Sequence, residues 1–156
     1  MMRWLLLAAT LLGACADPMD VTPSANPDER ACAFVGVTGL TINASSTLEY
    51  DSLATIEVSD EPWTISLVEG ASSWLRFDTE DAEFLRLYVD QPDVAVDLSY
   101  ENEPMGLPYP APVQTCAEQI PEHFRLGLDQ PGSYHLELAP TDDTELWLML
   151  VAVGDL

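Results

Sequence analysis

The chain has 156 residues, 27 of them acidic and 5 basic, for a formal charge of −22. Such a surface repels nucleic acid and anionic lipid headgroups and argues against both as direct partners. Apolar residues still make up 47% of the sequence, so the chain is globular and not a disordered acidic polymer.

Met1 to Cys15 is the first element. Arg3 is basic, Trp4 to Leu12 is apolar, and Gly13-Ala14-Cys15 follows. A run this short cannot cross a bilayer as a helix, which takes about 20 residues. A basic residue, a short apolar core and then small residues form the pattern of a secretory signal. The ending Leu12-Gly13-Ala14-Cys15 resembles the lipobox of bacterial lipoproteins. The resemblance implies cleavage before Cys15, lipidation of its thiol, and attachment firmer than a single acyl chain provides. Ala16 in the next position implies, by the same resemblance, the outer membrane of a bacterial cell envelope. Ala14-Cys15-Ala16 also fits an ordinary small-x-small cleavage site, which would release a soluble secreted or periplasmic protein. The expected organisation is a signal peptide over 1–14, an acylated cysteine and flexible tether over 15–31, and one domain over 32–156. The tether reading rests on Pro18, Pro23 and Pro27 and the absence of apolar periodicity.

With Cys15 lipidated, Cys32 and Cys116 remain as a pair. An exported compartment permits their oxidation, so a disulfide is expected, with two free buried cysteines as the alternative.

From Cys32 onward the pattern has period two, the signature of strands. Cys32 to Gly36 is the first candidate, followed by Thr55–Ser59, Trp63–Leu67 and Trp74–Phe77. Phe84 to Val89 points Leu85, Leu87 and Val89 inward, and Val94 to Tyr100 alternates in the same way. Four prolines between Glu101 and Pro112 forbid regular ladder pairing and mark a connection from one sheet to another. Met105, Leu107 and Tyr109 are placed to fold down as a lid there. Phe124 to Leu128 and Tyr134 to Leu138 read as a hairpin pairing Leu128 with Tyr134 and Arg125 with Glu137. Leu146 to Val153 is apolar on both faces, a strand buried on both sides or covered by the proline-rich segment. About nine strands and no helix predict an all-β fold, an antiparallel β-sandwich of jelly-roll type. The closing run around Pro131-Gly132-Ser133-Tyr134 is similar to the small jelly-roll domains, of pre-peptidase C-terminal type, appended to secreted bacterial proteases. That likeness implies a sandwich and brings no catalytic residue.

Candidate chemistry is sparse. His123 and His135 are expected on the solvent face of the hairpin. Gly70-Ala71-Ser72-Ser73 lacks the second glycine of a serine elbow, and Ser133 near His135 gives no base–nucleophile geometry by sequence position alone. Acidic turns hold Asp78, Glu80 and Asp81, and then Asp90 and Asp93. Acidic loops supply the oxygen ligands that calcium takes, so these five form the candidate metal set, and no other cofactor is expected. Trp147 and Met149, with Tyr109, form a candidate outer binding surface, such as marks an interface or a sugar platform. The expected function is a non-enzymatic, lipid-anchored cell-envelope module that binds a protein or a glycan. The alternatives are a calcium-stabilised adhesion-type domain and a hydrolase built on an unrecognised carboxylate pair.

Overall fold

The computed structural model describes residues 26–81, 83–92, 94–106 and 110–153. Cys15, Asp93, Leu107 and Tyr109 lie outside them. Two sheets pack face to face. The six-stranded sheet runs in the order β1 (Leu40–Asn43), β3 (Trp63–Ser66), β11 (Glu145–Val153), β5 (Glu83–Val89), β9 (Glu122–Leu128) and β8 (Ala111–Pro112). The five-stranded sheet runs β2 (Thr55–Ile56), β4 (Ser73–Thr79), β10 (Gly132–Leu138), β6 (Val96–Tyr100) and β7 (Glu103–Pro104). All pairs are antiparallel except β1 with β3 and β2 with β4.

The core lies between the sheets and is built by alternation. Leu85, Leu87 and Val89 of β5 face Leu75, Phe77, Leu136 and their neighbours from the opposite sheet. Phe77 stacks on Tyr134 with ring centroids 5.4 Å apart. The Tyr134 hydroxyl reaches the Gln130 carbonyl at 2.6 Å, so the buried ring keeps its polar tip satisfied.

The expected hairpin of residues 124–138 does not exist. β9 pairs with β5 and β8, whereas β10 pairs with β4 and β6 in the other sheet. Both strands do turn their leucines inward, but from opposite sides of the core, and the Asp129–Pro131 turn steps from one sheet to the other. Two-fold alternation fixes which face is buried and leaves the partner strand open. Arg125 therefore sits opposite Arg86, and Glu137 lies between Trp74 and Asp97.

The start of the domain also differs. Pro27–Cys32 forms a short helix, α1, where a tether was expected, and the chain continues through turns to Gly36 in place of a first strand. The local chemistry favours this. The Asn26 side chain caps the helix by accepting from the Asp28 N–H, Pro27 presets φ, and Asp28 and Glu29 stand at the positive end. The first strand is instead β1, seated against Pro62. A Cβ at Gly39 would fall 1.8 Å from the Pro62 carbonyl oxygen, so only glycine admits this approach.

The proline-rich connection does cross between sheets, leaving β7 in one and entering β8 in the other. Met105 packs against the core edge.

Candidate functional site

The outer face of the six-stranded sheet carries a cross-strand row, His123–Tyr88–Met149, that is fully covered. α1 and the segment around Val113 and Ile120 lie over it, joined by the Cys32–Cys116 disulfide with Cα atoms 5.7 Å apart. Met149 is therefore core and not a binding surface. β11 is buried on both faces as expected, but this disulfide-linked cap, not the proline-rich segment, is its cover. His123 occupies the outer face that alternation requires, yet it is 3% exposed, because the cap was invisible to a pattern reading.

Beneath the cap, Asp28 accepts from Arg86 Nη1 at 2.5 Å and from the Tyr88 hydroxyl at 2.7 Å. Burial and the anionic neighbour push the Tyr88 phenol above its ordinary value. Neither ring nitrogen of His123 has a hydrogen-bond partner among the described residues. Burial, with help from Arg86 and Arg125 against the opposing pull of Asp28, holds its pKa below the usual imidazole value. His135, on the outer face of the other sheet, is also buried, 5% exposed beneath the edge of the Tyr50 ring at 4.5 Å. Its pKa is lowered by burial first and Arg76 second, with Asp78 opposing. Folding thus disfavours the protonated form of both histidines, while the unfolded chain binds their protons near pH 6.5. Their stabilising contribution is complete above that value and is lost as pH falls toward the folded pKa. The expected slope is at most about 1.4 kcal/mol per pH unit for each histidine. The urea midpoint should fall between pH 7.5 and 5.5, above the carboxylate range, and fall less in the His135→Phe variant.

Where the cap ends, it leaves a groove of about 580 Å³. Trp147 lies in it, half-buried, with Thr64 beside it in the β3–β11 register. The turn through Gly36, at φ 75°, forms one wall. Asp90, Glu145 and Gln119 supply polar groups. Asp90 Oδ1 accepts from the Trp147 N–H at 3.0 Å, which fixes the β5 end against β11. Although Asp90 as a whole is exposed, this inward-turned carboxyl lies above its usual pKa. Partial desolvation is the main cause and Asp143 adds to it, with the Trp147 N–H pulling the other way. The Trp147 Nε1 is buried without an acceptor among the described residues.

The second outer face belongs to the five-stranded sheet, where Tyr50 lies over His135. One row is Trp74–Glu137–Asp97, the next Arg76–His135–Ser99, and beyond it stands Asp78–Ser133. Trp74 and the two carboxylates line a cleft of about 380 Å³ under Tyr50, and an adjoining one of the same size holds Arg76, Ser133 and His135. The Ser133 hydroxyl donates to Asp78 and not to His135, so no serine–histidine pair forms. Asp78 also takes Arg76 Nη2 at 2.9 Å. Burial raises its pKa, but Ser133 and Arg76 outweigh this and leave it lowered.

The described members of the candidate calcium set, Asp78, Glu80, Asp81 and Asp90, do not all come together. Asp78, Glu80 and Asp81 lie at the β4–β5 turn, and Asp90 lies at the far end of β5, about 20 Å away by strand rise. Among the described residues no three His, Cys, Asp or Glu side chains stand close enough to hold a metal ion. The Trp74 row was missed because Glu137 had been set opposite Arg125. Only the true strand order puts it beside a tryptophan and a second carboxylate.

No protein-family model matches the chain, and no curated protein matches it. Among solved structures it is similar to the pre-peptidase C-terminal domain of a collagenase from Bacillus anthracis. The two share 15% identity over 64% of this chain and 94% of that domain, with a TM-score of 0.41.

Proposed function

We propose that this protein is an exported, lipid-anchored binding module of the bacterial cell envelope, without catalytic activity of its own. The groove beside Trp147 carries the reading. It joins an aromatic ring to carboxylate, amide and hydroxyl groups on a rigid sheet face, the composition of a site for a glycan or a polar protein segment. The lipobox supports the anchor, with Cys15 as the acylated residue.

Two measurements test this. Cys15→Ser should move the protein from the membrane fraction to the soluble fraction. Retention of the variant in the membrane would refute the anchor. The full chain should co-sediment with purified peptidoglycan sacculi, and Trp147→Ala should weaken that at least tenfold. Absence of co-sedimentation, or indifference to the substitution, would remove the groove from the reading. The hydrolase alternative keeps one supporting observation, the cross-strand pair Asp97 and Glu137 in a cleft. Release of new reducing ends from the sacculi would favour it.

A further inference from the structure

We propose that the free edge of β1 is a dimerisation surface, on which β1 of a second copy of this chain adds as an antiparallel strand across a two-fold axis. Of the sheet edges among the described residues, β2, β7 and β8 are blunted. Each is two residues long, and β7 and β8 each carry a proline. These are the devices by which sheets avoid pairing edge to edge. β1 lacks them. It is the four-residue run Leu-Thr-Ile-Asn, without proline or charge, and among the described residues no strand lies on its outer side.

The backbone there is turned outward. The Leu40 N–H donates to the Pro62 carbonyl and the Ala44 N–H to that of Ser66, so in this parallel pair Leu40, Ile42 and Ala44 turn toward β3. Thr41 and Asn43 turn their N–H and C=O groups the other way, and both residues are exposed.

Charge and register select a second copy as the occupant. Residues 31–48 are the longest stretch of the sequence without a charged side chain, in a chain of formal charge −22. Two copies repel through their net charge and are repelled least where neither presents a carboxylate. The edge is also self-complementary. A dyad at Ile42 sets Thr41 of each copy against Asn43 of the other as a hydrogen-bonded pair, which satisfies both outward residues at once. The same register covers Leu40, 53% exposed, with Ala44 of the other copy. The two six-stranded sheets become continuous across the dyad. The contact is small, so the dimer belongs to the weak, reversible class.

The test is sedimentation equilibrium of the full chain carrying Cys15→Ser, so that no acyl chain drives association, at up to about 0.5 mM as a weak interface requires. A monomer–dimer equilibrium is expected, and it should strengthen between about 0.05 M and 0.5 M salt as repulsion is screened. Thr41→Pro removes an outward N–H and no bond to β3, so it should weaken the dimer tenfold or more and leave thermal unfolding of the monomer in place. Thr41→Glu with Asn43→Glu sets acid against acid and should abolish the dimer, whereas Thr41→Lys with Asn43→Glu sets opposite charges and should restore it. Amide exchange at Thr41 and Asn43 should slow as concentration rises. A monomer throughout the range would overturn the proposal. So would a dimer indifferent to Thr41→Pro, or one that weakens with salt and is therefore held by ion pairs elsewhere. Protection of the Thr41 and Asn43 amides that is independent of concentration would also overturn it, and would put another segment of the same chain along this edge.

Discussion

Asp28→Ala is expected to destabilise the protein by about 3–5 kcal/mol, the cost of stranding one half of a buried ion pair. Asp28 accepts from two groups under the cap, the Arg86 guanidinium and the Tyr88 hydroxyl. Its side chain is 10% exposed and that of Arg86 19%, so water replaces the lost carboxylate poorly. The neighbourhood makes matters worse. Arg125 stands directly opposite Arg86 in the β5–β9 register, and His123 packs against Tyr88. Removing the Asp28 carboxylate would leave Arg86 opposite Arg125 without this counter-charge, beside an imidazole whose charged form burial disfavours. α1 would still be held by its Arg30 contacts, to Asp60 and to the Ala152 carbonyl, and by the Cys32–Cys116 disulfide. Thermal unfolding should show a midpoint lowered by about 10 °C or more. Asp28→Asn retains an acceptor for one of the two donors and should cost less.

Loss of the Cys32–Cys116 bond is the second large effect. It joins residues 84 apart in sequence, and the chain-entropy relation gives about 4.6 kcal/mol for a loop of that size at 25 °C. Cys32→Ser with Cys116→Ser, or reduction of the native protein, should lower the unfolding midpoint by an amount comparable to Asp28→Ala. Reduction should also expose Met149 and Tyr88, which the cap covers. The two perturbations act on the same element, since Asp28 and Cys32 both fasten α1. Their combination should therefore cost less than the sum of the separate effects, and a double-mutant cycle measures the difference.

What the sequence itself determined is the set of inward-facing residues. Leu85, Leu87, Val89, Leu136, Leu138 and Leu148 are buried because a strand presents alternate residues to one face, and that rule needs no knowledge of neighbours. The same rule gave an all-β sandwich, and the pairing of Cys32 with Cys116 followed from the cysteine count together with the expected export. α1 was legible too, in Asn26-Pro27-Asp28-Glu29, though it was masked by prolines read as tether.

Strand order, by contrast, was settled only in three dimensions. β9 and β10 are adjacent in sequence and lie in opposite sheets, because each buries its leucines equally well in either arrangement. The outer faces depended on that order. It brought Trp74, Glu137 and Asp97 into one row, and it set Arg86 against Arg125 beneath a helix carrying Asp28. It also kept Asp78 a strand length from Asp90. Alternation is a property of one strand, whereas a site is a property of several, and contacts between distant segments leave no period in the sequence to read.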